Sequence, residues 1–292
     1  MDHTLMAEES LVRLACFAGV FLLMALWEIA APRRKDAAQR PVRWTSNLGV
    51  IILDTLLIRL LVPTAVVGLA MQAEAAHWGL LGLVDWPFWI KVVISMVVLD
   101  LAIYLQHVVF HAIPALWRVH RMHHADLHID VSTGVRFHPV EMILSLGIKM
   151  VVVAGLGAPA LAVLVFELLL NATSMFSHSN VRLPDRLDRV VRWIVVTPDM
   201  HRIHHSIEAA ETNSNFGFNF SLWDRMFGTY RSTPAAGQLG MTVGVEQFRD
   251  PRELWLDRML TQPLREDHGP QPFNGTPPAT LAKPASDDRS SV

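Results

Sequence analysis

Long apolar runs constrain this chain more than any other feature of its sequence. Residues 11–31, 48–71, 88–113 and 142–170 are almost wholly apolar. A helix needs about 20 such residues to cross the bilayer. The mean hydropathy of +0.30 is also high for a soluble domain. The sequence therefore predicts an all-α integral membrane protein.

The charges between these runs set the expected orientation. Residues 32–44 contain Arg33, Arg34, Lys35, Arg40 and Arg43, and short basic loops stay in the cytoplasm. Residues 72–87 contain neither Lys nor Arg, as expected of an outer loop. The first run lacks the basic segment and cleavage site of a signal peptide, so we expect it to be retained with the N-terminus outside.

The fourth apolar run is interrupted by GLGAP at residues 155–159. Glycine and proline break helices, so two half-length helices that enter and leave on one side fit better than one span. A single span would separate the two sets of histidines described below. We expect about four membrane helices, the last two as a half-length hairpin, beneath a cytosolic helical cap.

The same reading gives the domain organisation. Residues 1–265 are expected to form one membrane domain, with a histidine-rich core at about residues 100–232. Residues 266–292 contain five prolines and end in DDRSSV, a composition typical of a disordered tail.

Charge and cysteine content exclude several classes of function. The net charge is −2, so no basic excess favours a nucleic-acid partner. Cys16 is the single cysteine, which excludes a disulfide framework and a thiolate metal site. Any metal here must use nitrogen or oxygen ligands.

Histidines are concentrated in one third of the chain, because 11 of the 14 lie between residues 107 and 205. They form HVVFH at 107–111, HRMHH at 120–124 and HRIHH at 201–205. Positions i, i+3 and i+4 share one face of a helix, so three helical pieces can aim eight imidazoles at one centre. These candidates are His107, His111, His120, His123, His124, His201, His204 and His205.

The number of candidates predicts two metals, since one tetrahedral zinc takes about four ligands. Imidazole suits Fe, Zn, Cu and Ni better than Mg or Ca. Because the candidates flank apolar helices, the expected substrate is a lipid. A redox-active metal pair is the natural agent for attacking an unactivated C–H bond, since no side chain is reactive enough.

The remaining histidines divide into possible ligands and bystanders. His138 in RFHPVE and His178 in FSHSN are further candidate ligands, although each can equally be a hydrogen-bonded histidine at the membrane surface. His128 lies off the patterned spacings and is expected to be a bystander. The histidines expected to face solvent are His3, His77 and His268.

Three carboxylates are candidates for supporting roles. Asp100 shares a helical face with His107 inside an apolar run, where an ionisable group suggests function; a helix-packing hydrogen bond is the alternative. Glu141 and Asp199 can orient an imidazole by accepting its second N–H, or can be helix-end charges.

Taken in order, HVVFH, HRMHH, RFHPVE, FSHSN and HRIHH resemble the fatty acid hydroxylase superfamily, the sterol desaturase-like membrane oxygenases. NFGFNFSLWDRMFGTY, residues 215–230, is similar to the segment that follows the last histidine motif in that family. The resemblance covers roughly residues 40–232. It implies a four-helix membrane base, a cytosolic cap holding two iron ions, O2-dependent hydroxylation or desaturation of a lipid, and electrons from an external donor.

The resemblance also implies a ligand set. It carries over to the eight patterned histidines, with His178 matching an intervening histidine of the family. Some members have HxxxH there, whereas this chain has Ser174 four residues before His178, which makes His138 a stronger candidate. Some members carry a fused cytochrome b5 domain. None is found here, so the donor is expected to be a separate cytochrome, ferredoxin or reductase.

Several alternatives remain open at this stage. The chain can be a dizinc lipid hydrolase, a histidine-rich membrane protein that transports or stores metal, or a scaffold with incidental histidines. Zinc can also replace iron in purified protein. A sterol or hopanoid, an acyl chain, an alkylglycerol ether and a carotenoid all suit a greasy cavity. The bias for Arg over Lys hints at a bacterial cytoplasmic membrane, with the metals on its cytoplasmic face.

Overall fold

The computed structural model describes residues 3–35, 39–62 and 65–265, and the expected disordered tail lies outside them. The described residues fold into helices, short 3₁₀ turns and isolated β-bridges. The α-helices are α1 (His3–Ala30), α2 (Arg40–Leu61), α3 (Ala65–Ala75), α4 (Phe88–Ala112), α5 (Pro114–His124), α6 (Pro139–Leu156), α7 (Ala160–His178), α8 (Asp185–Val191), α9 (Pro198–His204), α10 (Ala209–Thr212), α11 (Leu222–Met226), α12 (Gly237–Gly240) and α13 (Leu256–Thr261). The 3₁₀ turns span Leu80–Leu83, Val131–Val135, Pro251–Leu254 and Gln262–Leu264.

Five segments of the described chain are long and apolar enough to cross a membrane: Glu8–Ala30, Arg40–Leu83, Phe88–Ala112, Pro139–Leu156 and Ala160–His178. Large apolar side chains cover their outer faces. Leu11, Leu60 and Val151, for example, are 68%, 78% and 73% exposed. A surface of this kind requires lipid as its solvent. The predicted all-α integral membrane fold is thus confirmed.

The predicted hairpin corresponds to α6 and α7. Gly157 ends α6 in the left-handed conformation, with φ of 69°, and α7 begins directly after Pro159. A Cβ atom at Gly79 would lie 2.1 Å from the Gly157 nitrogen, so the two backbones touch there. The arms have 18 and 19 residues. Each is longer than the half-length helix expected, because the helices continue beyond the apolar run to Pro139 and His178.

All five long segments contribute one end to a common cap. The segment after α1 is joined to the end of α7 by the Arg33 N–H donating to the Asn180 carbonyl. Glu28, near the end of α1, accepts the Val131 N–H from the connection between α5 and α6. Residues 114–138 and 179–265 complete the cap. Both HxxHH motifs therefore lie at the same end of the molecule, as the hairpin predicts.

A buried ion network ties α2 to the cap. The Arg43 guanidinium contacts Asp126 at 2.6 Å and Asp130 at 2.7 Å. Arg43 and Asp126 are buried, with at most 1% of either residue exposed. Burial by itself would raise the pKa of Asp126, but Arg43 and Arg136 lower that pKa well below the ordinary carboxyl value. This network fixes residues 122–136, which lead into and out of the histidine site.

Candidate metal centre

Nine histidines converge in the cap as two adjacent groups. The group of five, His107, His111, His120, His124 and His204, has its ligand nitrogens within 4.8 Å of one another, and so does the group of four, His123, His178, His201 and His205. All nine side chains are buried. The groups touch, since the rings of His124 and His205 stack at 4.4 Å.

Two helices supply both groups. From α5, His120 and His124 join the group of five while His123 joins the group of four. The end of α9 divides its histidines in the same way, with His204 in the first group and His201 and His205 in the second. The HxxHH spacing therefore does more than align one face, because its neighbouring histidines serve different groups.

Backbone carbonyl groups fix several of these rings through Nδ1. In the group of five, Nδ1 of His107 donates to the Phe216 carbonyl at 2.8 Å and Nδ1 of His204 to the Ser214 carbonyl at 2.9 Å. In the group of four, Nδ1 of His178 donates to the Ser174 carbonyl at 2.7 Å. A ring that donates through Nδ1 presents an Nε2 lone pair to the group, as a metal ligand must.

The opposed lone pairs show that the site suits metal ions. His123 also donates through Nδ1, to the Arg136 carbonyl, and its Nε2 lies 3.1 Å from Nε2 of His178. Nε2 of His107 lies 3.2 Å from Nε2 of His120. Lone pairs at these distances repel unless a cation lies between them. Nitrogens bound tetrahedrally at ~2.1 Å lie about 3.4 Å apart, close to this spacing.

Burial keeps these imidazoles in the form that binds metal. Burial and then the proximity of His120 lower the pKa of His204 to about 3. Burial is also the main reason that the pKa values of His123, His124 and His205 fall well below the ordinary value. These four rings are therefore neutral at pH 7, and only neutral imidazole coordinates a metal.

A cavity of about 150 Å³ opens beside the group of five and extends between the membrane helices. His107 and His120 are the histidines that line it. Its walls come from α1, α2, α4, α6 and α7, and combine apolar side chains such as Phe110 and Leu170 with polar ones such as Gln106 and Ser145. A lipid entering between these helices would reach the histidines directly.

The family model for fatty acid hydroxylases matches residues 92–229. That range begins in α4, ends after α11 and contains all nine clustered histidines. This region of the chain, residues 92–229, belongs to the fatty acid hydroxylase family. The resemblance drawn from the histidine motifs is thus confirmed.

The curated relatives that this chain matches are named as enzymes of different lipids. It is 30% identical over 185 residues to the ornithine lipid hydroxylase OlsE of Rhizobium tropici, covering 62% of this chain and 54% of that protein. It is 30% identical over 166 residues to cholesterol 25-hydroxylase of Rattus norvegicus, covering 56% and 53%. Alkylglycerol monooxygenase of Xenopus tropicalis is 25% identical over 164 residues, covering 56% and 34%.

The chain spans about half the length of the first two of these relatives and about a third of the alkylglycerol monooxygenase. No solved structure shows significant similarity to it.

His138 and His128 lie outside both histidine groups of this fatty acid hydroxylase region. His138 caps α6, because its Nδ1 accepts the Val140 N–H, and its Nε2 donates to the Leu260 carbonyl at 3.2 Å. Both of its ring nitrogens are therefore engaged away from the groups. The position that carries a second histidine in some family members is Ser174 here, and its carbonyl orients His178.

The three candidate carboxylates behave differently. Glu141 accepts Nδ1–H of His120 at 2.7 Å, the supporting contact that was expected. Asp100 instead accepts the indole N–H of Trp223 at 2.7 Å, which is the helix-packing alternative. Asp199, in the first turn of α9, pairs with Arg33 and Arg202, which is the helix-end alternative.

Sequence reasoning missed two sets of charged residues around the centre. One is the Arg43 network, whose acidic members stand just after the first HxxHH motif. The other consists of Arg13, Lys149 and Glu167, which pair with one another on the cavity wall. All three are charges inside apolar runs, and an ionisable residue in a membrane helix is a functional candidate for that reason.

Proposed function

We propose that the chain is a membrane-bound di-iron oxygenase that hydroxylates a C–H bond of a lipid. The observation that carries this proposal is the pair of buried histidine groups at the end of a cavity open to the membrane helices. Hydroxylation is favoured over desaturation because the curated relatives are named hydroxylases and monooxygenases.

The proposed ligands are the nine clustered histidines, and His138 is left out. Two iron ions in these groups would supply the O2 and one-electron chemistry that an unactivated C–H bond requires. The overall reaction consumes the lipid, O2, two electrons and two protons, and yields the alcohol and water. The protein's own part is to orient the rings through carbonyl oxygens and Glu141, and to keep water from the buried centre.

The proposal also specifies the functional unit, its place in the membrane, the electron donor and the substrate. Residues 1–265 act as one unit, with the centre on the cytoplasmic face of a bacterial membrane. Electrons come from a separate cytochrome, ferredoxin or reductase. The substrate is a membrane lipid, of which sterols or hopanoids, acyl chains, alkylglycerols and carotenoids are the classes to screen.

The decisive experiment measures metal in protein purified in mild detergent from cells grown on iron-57. About two coupled irons per chain by Mössbauer spectroscopy are expected, since two groups of four or more imidazoles are present. They should be lost when His123, His124, His204 and His205 are changed to Ala, and retained in a His128→Ala control.

Two findings would support other functions, and a third would exclude the histidine groups as the metal site. Zinc alone in iron-replete protein, with no uptake of iron, would favour the dizinc hydrolase. Iron that is bound without O2-dependent oxidation of any membrane lipid would favour metal storage. Equal metal content in the quadruple variant and the wild type would exclude the histidine groups as the site.

A further inference from the structure

Four charged side chains form a chain of ion pairs between the membrane helices. The Glu167 carboxylate of α7 contacts Lys149 of α6 and Arg13 of α1, both at 2.7 Å. Arg13 contacts Glu9, one turn earlier on α1, at 2.8 Å. We call Glu9, Arg13, Lys149 and Glu167 the ion-pair cluster. It ties three membrane helices together at the wall of the cavity.

Helix packing alone does not account for such a cluster. Replacing buried ion pairs by apolar residues of similar size is commonly neutral or stabilising. Ionisable groups within a membrane are expensive and characteristically line a binding site or a path. Arg13, Lys149 and Glu167 all line the cavity that His107 and His120 also line.

The cluster stands at a defined distance from the histidines. On α6, Glu141 contacts His120, and Lys149 follows eight residues later on the same helix. Eight residues of α-helix span ~12 Å. One molecule in the cavity therefore meets the ion-pair cluster at one end and the group of five histidines at the other.

The charges of the cluster select the kind of group that it can hold. Two carboxylates and two cations cancel, so a fully charged head group would add an uncompensated charge in a low-dielectric site. Hydrogen-bonding capacity remains, because an ammonium has three N–H groups and Lys149 directs one to Glu167. Elsewhere on the wall, the Gln106 Oε1 atom is buried and accepts no hydrogen bond from the described residues.

We propose, on the basis of the proposed function, that the ion-pair cluster positions the substrate by its uncharged polar end. The substrate class is an amphiphile with a hydroxyl or amide group, which both accepts and donates hydrogen bonds. Lys149 and Glu167 hold this group, and the carbon that reaches the histidines lies a fixed distance from it. Lys149, Glu167 and Arg13 are thus positioning residues.

Binding tests the proposal without turnover. Hexadecan-1-ol, hexadecane and hexadecanoate are compared as probes on the metal-loaded full chain in detergent by equilibrium dialysis. The wild type should bind the alcohol at least about tenfold tighter than either other probe. Lys149→Met should remove this preference while the metal content stays unchanged. Lys91→Met, a lysine of α4 outside the cavity wall, should leave the preference intact.

Three results would overturn the proposal. One is equal binding of alcohol and alkane by the wild type. Another is tightest binding of hexadecanoate, because it would mean an anion site. The last is a Lys149→Met protein that melts at a lower temperature yet keeps the preference, since the cluster would then only join helices. If Lys149→Met does not fold, Glu167→Gln keeps the size of the side chain but leaves the ion-pair cluster with a net positive charge, so it must shift the binding preference from the alcohol towards hexadecanoate.

The position of attack provides a second and separate readout. Alcohols of 14, 16 and 18 carbons are oxidised under O2, and the new hydroxyl group is located by mass spectrometry. Attack at a constant number of carbons from the original hydroxyl supports the anchor. Attack at a constant distance from the methyl end overturns it. Failure of the wild type to oxidise any lipid would instead count against the proposed function, while the binding preference would still stand.

Discussion

The two histidine groups lie side by side but have different surroundings. The group of five borders the membrane cavity through His107 and His120, and one of its rings is held by the carboxylate of Glu141. The group of four has no member on the cavity wall, and its rings are held by the carbonyl groups of Arg136 and Ser174. Two metal sites built from one repeated motif therefore need not have the same function. We expect substrate to meet the group of five, and the group of four to serve mainly as its partner.

The largest effect should come from removing one ligand from each group. His205→Ala leaves three imidazoles in its group, whereas His204→Ala leaves four in the other. His205→Ala should therefore weaken metal binding more than about 100-fold, beyond the ~10–100-fold range of changes next to ligands. His204→Ala should weaken it less. Metal titration against a competing chelator measures both, and equal losses would show that ligand number does not separate the groups.

Breaking the ion network behind the group of four should cost stability. Arg43→Met removes the buried ion-pair partner of Asp126 and Asp130, a change that typically costs about 3–5 kcal/mol. Thermal unfolding in detergent measures it. The matched control is Arg252→Met, which removes an exposed pair with Asp257 worth less than about 1 kcal/mol. A similar melting temperature in both variants would contradict the assignment of this network as a structural support.

The carboxylate beside the group of five offers a way to perturb one group more than the other. Glu141→Gln keeps an oxygen near Nδ1 of His120 but removes the negative charge that makes the ring a better ligand. Metal affinity should fall about 10-fold, at the low end of the range for such contacts. The group of five should lose more metal than the group of four. Loss of metal from both groups in equal measure would mean that they cannot be perturbed separately.

The smallest effect should come from His138, which lies outside both groups. His138→Ala removes the side chain that caps α6, and losing a cap costs about 0.5–2 kcal/mol. The melting temperature should fall slightly while two metals remain bound. Metal analysis decides the matter: a chain with fewer metals would restore His138 as a ligand.

Much of the fold and the centre was accessible from sequence because the signals were local. Apolar length predicts the membrane helices, GLGAP predicts the hairpin, and the motif spacing predicts eight of the nine clustered histidines. His178 also needed the resemblance, since a lone histidine carries no spacing. These predictions depend on neighbours along the chain, which a sequence displays directly.

The rest depends on contacts between distant residues. Nothing in the sequence pairs Arg43 with Asp126, 83 positions away, or Arg13 with Glu167, 154 positions away. The division of His123 and His124 between two groups also depends on the contact between the histidine rings of α5 and those at the end of α9. Motif spacing does not predict that contact. The role of Asp199 stayed open for the same reason, because Arg33 contacts it from a distant part of the chain.

The sharing of α5 and α9 between the groups has a consequence for how the protein is loaded. An ion bound by either group holds both helices, so much of the ordering that the other group requires is already complete. The second ion then binds at a lower entropic cost, and coupling of this kind is reciprocal. Metallation should therefore be cooperative, with fewer chains carrying a single ion than two independent groups would give. Scarce metal would then produce fewer loaded molecules rather than many half-loaded ones.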